Sequence, residues 1–203
     1  VLQEVSVVVD NPNLFDLVVL GGGSGGYAAA LRGAQLGLSV CLIEGDKLGG
    51  TCLHRGCIPT KALLHAAKTA DTVRNSAQFG INATFDGVDM ANVKVYQERV
   101  ISGLHRGLQG LVKARGVNYV HGWGKLVSSD TVEVTGQRYT GRHIVLATGS
   151  RPRTLPSLTI EGRIVTSDEA LTLDYVPSSV IVLGGGVIGA EFASLWRSFG
   201  AEV

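Results

Sequence analysis

Two kinds of apolar pattern alternate along this chain. Leu14-Phe-Asp-Leu-Val-Val-Leu20 and Ser39-Val-Cys-Leu-Ile43 are short dense runs, the pattern of parallel strands buried on both faces. Between them Tyr27 to Leu36 is rich in Ala and Leu and reads as helix, with Gly37 as its stop. From Ala91 to Arg115 apolar residues recur at Val93, Tyr96, Val100, Ile101, Leu104, Leu108, Leu111 and Val112. Those offsets follow helical periodicity and predict one long amphipathic packing helix, closed by Gly116. Val117 to Val134 predicts short β segments around Gly122-Trp-Gly124, and Arg138 to Arg142 a turn. His143-Ile-Val-Leu146 predicts a strand running into Ala-Thr-Gly-Ser150, and Arg151 to Ser157 reads as a linker. Then the opening pattern returns, with a strand over Ser179–Leu183 and a helix over Ala190–Phe199.

The glycines between strand and helix say what these units are for. Gly21, Gly23 and Gly26 satisfy G-x-G-x-x-G after the first strand, and Glu44 ends the second strand. Strand, glycine loop, helix, strand and acid in that order point to a dinucleotide. The tight turn brings the backbone close to a pyrophosphate, the helix N-terminus receives its charge, and the acid meets a ribose hydroxyl. Gly184, Gly186 and Gly189 repeat the motif. The acid of that second unit is expected about 20 residues past its glycines, beyond Val203. Thr148 and Gly149 follow a strand at its carboxyl end, where a cofactor is met.

Gly49-Gly-Thr-Cys-Leu-His-Arg-Gly-Cys-Ile-Pro-Thr-Lys61 carries the remaining chemistry. Cys52 and Cys57 would be about 8 Å apart in a regular helix, beyond disulfide reach, so they can pair only across an irregular backbone. Gly56 and Pro59 supply that irregularity. The chain reads helical from about Pro59, which sets Cys57 at a helix N-terminus, where the dipole favours a thiolate. The pair is a candidate redox dithiol. Buried structural thiols are the alternative, and Cys41, inside a strand, is read that way. A metal site through His54 and His65 fails on distance, because His65 would lie about 12 Å from Cys57. An iron–sulfur cluster takes four thiolates, and the chain has three cysteines.

Composition narrows the classes. A net charge of +1 gives no support for nucleic acid or a membrane surface as partner. No apolar run approaches the roughly 20 residues that span a bilayer. Val1–Asp10 has neither a basic region nor a cleavage pattern, so it is not read as a signal peptide. Three cysteines are no disulfide framework and suit a cytoplasmic protein with one catalytic pair. The missing initiator Met and the abrupt stop at Gly200-Ala-Glu-Val203 are read as marks of a fragment.

Taken together these motifs resemble the two-dinucleotide-binding flavoprotein disulfide oxidoreductases, over about Leu14 to Val203. Cys-Leu-His-Arg-Gly-Cys-Ile-Pro-Thr-Lys-Ala-Leu-Leu-His-Ala-Ala is most similar to the branch that oxidises dihydrolipoamide. The glutathione and mercuric reductases typically carry Val-Asn-Val-Gly between the cysteines. A reductase for a low-molecular-weight disulfide, of glutathione, mycothione or mercuric type, is the alternative within the family.

The resemblance implies an α/β fold of two doubly wound Rossmann-like units, the second truncated. Residues 1–13 would be an N-terminal extension, 14–156 the FAD domain with the redox disulfide, and 157–203 the start of the NAD domain. Residues 14–150 would form a parallel sheet with helices on both faces.

It also implies the site. Gly21, Gly23, Ser24, Gly25, Gly26, Glu44, Gly45, Gly49, Gly50, Thr51, Cys52, Lys61, Gly124, Ala147, Thr148, Gly149 and Ser150 would hold FAD. Gly184, Gly185, Gly186, Val187, Ile188, Gly189, Ala190 and Glu191 would hold NAD. The more exposed Cys52 would exchange with the substrate and Cys57 would face the flavin. Lys61, paired with Glu191, would stand beside it. The expected partners are a second subunit and the lipoyl domains of 2-oxo acid dehydrogenase complexes. The family's acid–base histidine comes from a C-terminal interface domain, so none of His54, His65, His105, His121 and His143 takes that role. The 203 residues by themselves are expected to be inactive.

Overall fold

The computed structural model describes residues 13–203. The expected N-terminal extension, Asn13 apart, lies outside them. The elements in chain order are β1 (Leu14–Leu20), α1 (Ser24–Gln35), β2 (Val40–Glu44), α2 (Gly50–Arg55), α3 (Cys57–Arg74), α4 (Met90–Ala114), β3 (Asn118–His121), β4 (Gly124–Leu126), β5 (Thr131–Val134), β6 (Gln137–Leu146), α5 (Ser167–Ala170) and α6 (Val187–Phe199). The chain gathers into two compact units. One joins the described residues through Leu48 to Gly110–Thr148, the other joins Gly49–Gln109 to Gly149–Val203. No helix among the described residues is long and apolar enough to cross a membrane.

The first unit is a six-stranded sheet in the order β3-β2-β1-β6-β5-β4. β1, β2, β3 and β6 are parallel, and α1 packs on β1, β2 and β6. Val18, Val19, Cys41, Leu42 and Ile43 have no exposed surface, as the dense apolar runs require. The all-parallel expectation is corrected, because β4 and β5 are antiparallel and the sheet is mixed. The turn expected over Arg138 to Arg142 is corrected as well. The hairpin turns at Thr135 (φ 48°) and Gly136 (φ 84°), and Val134 pairs with Gln137. Two positive-φ residues make the two-residue turn whose twist suits antiparallel strands. β6 therefore starts early and pairs with β5 at one end and with β1 along the rest.

The second unit is helical among its described elements. Leu63 and Ala67 of α3 meet Phe192, Leu195, Trp196 and Phe199 of α6, spaced on each helix so that they share one face. Each large side chain in that seam contributes about 1.5–3 kcal/mol on burial. The C-terminal ends are tied by polar contacts. Ser198 Oγ donates to Asp71 Oδ2 (2.6 Å), and the Arg74 guanidinium donates to the Ser198 carbonyl.

The strand expected over Ser179–Leu183 is corrected to one parallel bridge, Ser179 with Glu202. Val180 N donates to Glu202 O (2.7 Å) and Glu202 N to Ser178 O (2.9 Å), and pairing stops there. Ile181 and Leu183 have no neighbouring strand and are exposed. α4 forms over the expected residues, but its apolar stripe is only partly covered: Val112 is buried while Leu104 and Leu111 are exposed.

Candidate functional site

The first glycine loop is shaped by close backbone approaches. Gly21 has φ +105°, and a Cβ there would lie 2.1 Å from the Ala147 carbonyl oxygen. A Cβ on Gly26 would lie 1.7 Å from the Gly21 carbonyl oxygen. Only glycine leaves this cradle open. Gly23 is the N-cap of α1 and makes no side-chain cap bond, with Ser24 and Gly25 in the first turn. The N–H groups that open a helix have no partner within it, and here they form the floor of the cradle. Glu44, at the end of β2, accepts from Gly22 N at 2.6 Å and from Asp46 N at 2.8 Å. Uncapped donors, open backbone and an adjacent carboxylate fit a pyrophosphate with its ribose.

The other first-unit residues expected around FAD have packing reasons to be what they are. A Cβ on Gly124 would meet Leu20 Cδ1 at 2.6 Å and Val132 Cγ1 at 2.9 Å. Gly45 lies under the Trp123 ring. Ala147 N donates to Leu20 O (2.8 Å), and Thr148 follows it, exposed. Gly149 (φ +84°) and Ser150 are exposed in the second unit.

The second glycine loop has the same backbone. Gly184 has φ +115°, a Cβ on Gly189 would lie 2.0 Å from the Gly184 carbonyl oxygen, and Gly186 is an N-cap with no side-chain bond. Gly185, Val187, Ile188 and Ala190 are exposed.

The dithiol spans a break between two helices. Gly49 (φ +110°) and Gly50 (φ +58°) turn the chain into α2, where Thr51 and Cys52 stand in the first turn. A Cβ on Gly49 would lie 2.3 Å from Leu53 Cδ2, so the position needs glycine twice over. Gly56 (φ −149°, ψ −114°) interrupts the helix, and Cys57 opens α3 with Pro59 in its first turn. The segment before Gly56 is thus helical, and the irregularity sits in one residue.

Both thiols are free. Burial pushes the Cys52 thiol up, and its hydrogen bond with Cys57 adds to this, while the Lys61 ammonium pulls it down. The expected order of exposure is reversed: Cys57 is exposed and Cys52 is half-buried. Cys52 lies inside the short helix α2 next to buried Leu53, whereas Cys57 is the first residue of α3, ahead of buried Pro59 and Thr60. Cys41 is fully buried, and that burial raises its thiol to about 12, so it is inert at neutral pH.

Lys61 donates its ammonium to Glu191 Oε1, each residue one turn past the start of its helix, α3 and α6. That hydrogen bond raises the Lys61 pKa, and the two cysteines add to it. The Lys61 side chain is 59% exposed and Glu191 21%, so this is a half-solvated pair.

Two supporting residues were not legible in the sequence. Gln97 of α4 is 2% exposed and donates through Nε2 to the Pro59 carbonyl (3.4 Å), two residues beyond Cys57. Lys94, one turn earlier, donates to Gln97 Oε1 and to the Leu171 carbonyl, and burial lowers its pKa. The available signal was two polar residues, three apart, set among the apolar positions of α4.

Residues 15–203 match the family described as pyridine nucleotide-disulphide oxidoreductase. The chain is 40% identical, over 93% of its length, to a dihydrolipoyl dehydrogenase of Bacillus subtilis (strain 168), and covers 43% of that protein. It is 43% identical, again over 93%, to a dihydrolipoyl dehydrogenase of Chlamydia pneumoniae, covering 42% of it. A leghemoglobin reductase of Vigna unguiculata is also 43% identical over 93% of the chain, which covers 38% of it. The chain thus spans about two fifths of the length of these curated relatives.

Proposed function

The chain belongs to the pyridine nucleotide-disulphide oxidoreductase family, and on that footing we propose that it carries the dithiol and dinucleotide-binding parts of a dihydrolipoyl dehydrogenase. The observation that carries this reading is the dithiol itself. Cys52 and Cys57 are hydrogen-bonded free thiols across the Gly56 break, with Lys61 one helical turn beyond Cys57.

FAD and NAD are the cofactors of this enzyme class. In the first unit the Gly21–Gly26 loop binds the FAD pyrophosphate and Glu44 its ribose. In the second unit Gly184–Glu191 binds NAD. In chain order, 14–156 is the FAD domain and 157–203 the beginning of the NAD domain.

The reaction starts by thiol–disulfide exchange. A thiolate of dihydrolipoamide attacks the Cys52–Cys57 disulfide, forming a mixed disulfide. The second substrate thiol then releases lipoamide, leaving both cysteines reduced. When bound on the Gly21–Gly26 loop, FAD would supply the two-electron acceptor for the reduced pair, and NAD on Gly184–Glu191 the final hydride acceptor. Lys61 holds a positive charge where negative charge develops on reduction, and Glu191 orients it. The family likeness gives the exchange to Cys52. Single Cys→Ser variants decide this with lipoamide, because only the variant keeping the exchange thiol attacks the lipoamide disulfide as a thiolate, opening it to a mixed disulfide and a free lipoyl thiol. The proposed setting is a cytoplasmic homodimer acting on lipoyl domains of 2-oxo acid dehydrogenase complexes.

The test is an anaerobic dithionite titration of the full-length protein, followed by turnover with dihydrolipoamide and NAD. A redox dithiol takes up a second electron pair beyond that of the flavin. Uptake of one pair only would sink the dithiol. Preference for another thiol or disulfide over dihydrolipoamide would move the protein to a different branch of the family.

A further inference from the structure

Gln97 is the most deeply covered polar side chain among the described residues, at 2% exposed against 4% for Thr60 and 7% for Ser76. A buried amide is tolerated when both its ends are hydrogen-bonded. Here both are. Nε2 donates to the Pro59 carbonyl (3.4 Å), and Oε1 accepts from the Lys94 ammonium (2.5 Å). Lys94 also donates to the Leu171 carbonyl (2.5 Å), which anchors the relay at its far end.

The first turn of α3 needs such a tie. Gly56 breaks the helix, and Pro59 has no N–H with which to bond back to the last turn of α2. The Gly56 carbonyl accepts from Thr60 N (3.0 Å) and from Thr60 Oγ1 (2.7 Å). Pro59 and Thr60 are buried, while Cys57 is exposed. The place of Cys57 is therefore set by the residues held behind it, not by burial of its own side chain. Packing on that side is incomplete, because a cleft of about 110 Å³ opens between Arg55, Pro59, Lys94, Gln97 and Leu171. Where packing is incomplete, directional bonds fix the geometry.

We propose that Gln97, oriented by Lys94, is a positioning residue for the dithiol: it fixes the first turn of α3 and with it the separation of the Cys52 and Cys57 sulfurs. The inference rests on the reading of these cysteines as the redox pair. Its effect is on an effective concentration. Reduction by dithiothreitol breaks the Cys52–Cys57 bond, closes the reagent to its cyclic disulfide, and moves two electrons and two protons to the cysteines. A thiol held in place re-forms its disulfide far more readily than a loose one. Freeing the first turn of α3 therefore favours the dithiol.

The experiment uses the full-length holoenzyme, equilibrated anaerobically over a series of ratios of reduced to oxidised dithiothreitol. Samples are quenched in acid and alkylated to count reduced Cys52 and Cys57. Gln97→Leu removes the amide, and Gln97→Glu keeps an acceptor for Lys94 but has no donor for Pro59. Each should reach half-reduction at a ratio about tenfold lower than native, a shift of about 30 mV. Lys94→Arg keeps a charged donor and should stay within about threefold of native. Phe199→Leu loosens the α3–α6 seam away from the relay and should leave the ratio native, which separates positioning from general loosening. A native ratio in Gln97→Glu would overturn the inference and leave the redox pair intact, as would an equal shift in Phe199→Leu. If Gln97→Leu does not fold, Gln97→Glu decides alone. Cysteines that stay reduced in the native protein at every ratio would overturn the redox pair as well.

Discussion

The two glycine loops share a backbone and differ in their surroundings. Gly21 and Gly184 have φ of +105° and +115°. Gly23 and Gly186 cap their helices with nearly the same dihedrals. In both, the third glycine sits against the carbonyl of the first. Yet Gly21 is backed by Ala147 and Gly22 by the Glu44 carboxylate, while a Cβ on Gly184, Gly185 or Gly186 would meet nothing within 4 Å. The first loop emerges from a strand paired on both sides, the second from a segment with one bridge. Loop shape is therefore a local property of glycine sterics, whereas the supporting acid and strands come from elsewhere in the fold.

The sharpest way to break this comparison is to substitute the first glycine of each loop. Gly21→Ala puts a Cβ 2.1 Å from Ala147 O on top of an unfavourable φ. It should cost about 4 kcal/mol in urea unfolding and abolish FAD retention. Gly184→Ala bears only the φ penalty, about 1–2 kcal/mol. Equal costs would show that the sheet behind the first loop adds nothing.

Gly26→Ala and Gly189→Ala test the shared part. Their contacts, 1.7 and 2.0 Å from a carbonyl oxygen, are nearly alike. Each should cost about 2–3 kcal/mol, within about 1 kcal/mol of the other. A wide gap in unfolding free energy would refute a local origin for loop shape.

Glu44→Gln keeps the shape but removes the charge that accepts from Gly22 N. It should cost about 1–2 kcal/mol and loosen FAD. Lys61→Ala probes the acid of the second loop's helix, Glu191. Under the proposed function it should slow flavin reduction by dihydrolipoamide about tenfold in stopped flow of the full-length protein. Stability should change by under about 0.5 kcal/mol, because Lys61 is 59% exposed. A large loss of stability with normal reduction would make the pair structural.

The smallest effect concerns a helix start that does carry a cap. Thr166 and Glu169 close a capping box on α5, and hydrogen bonds from Thr166 lower the Glu169 pKa. A depressed carboxylate pKa stabilises above its unfolded value, near 4.5, and that contribution is lost as pH falls through the folded value. Glu169→Gln should therefore lower the melting temperature slightly at pH 7 and leave it unchanged at the acid end. The reverse order would rule out the box as its cause.

The dinucleotide loops, the Gly56 break, the helix start at Cys57 and the Lys61–Glu191 pairing were all legible in the sequence, though the pairing came through family likeness. The reason for the others is short range. A positive φ, or a Cβ collision such as that of Gly26 with Gly21 or Gly189 with Gly184, is felt within a few residues, so glycine is required there, whereas Gly21 is also held by Ala147 from a distant part of the chain. The antiparallel half of the sheet turns on Thr135-Gly136, where a threonine takes a positive φ that its residue type does not announce. Ser179–Leu183 has strand composition, but a strand exists only through its neighbours, and pairing there is a single bridge. The reversed exposure of Cys52 and Cys57, the burial of Gln97 behind Pro59, and the seating of Trp123 on Gly45 depend on residues distant along the chain. Local sterics determined where the chain turns and starts its helices. Packing between remote segments decided which side chains were covered, and no period or motif encodes that.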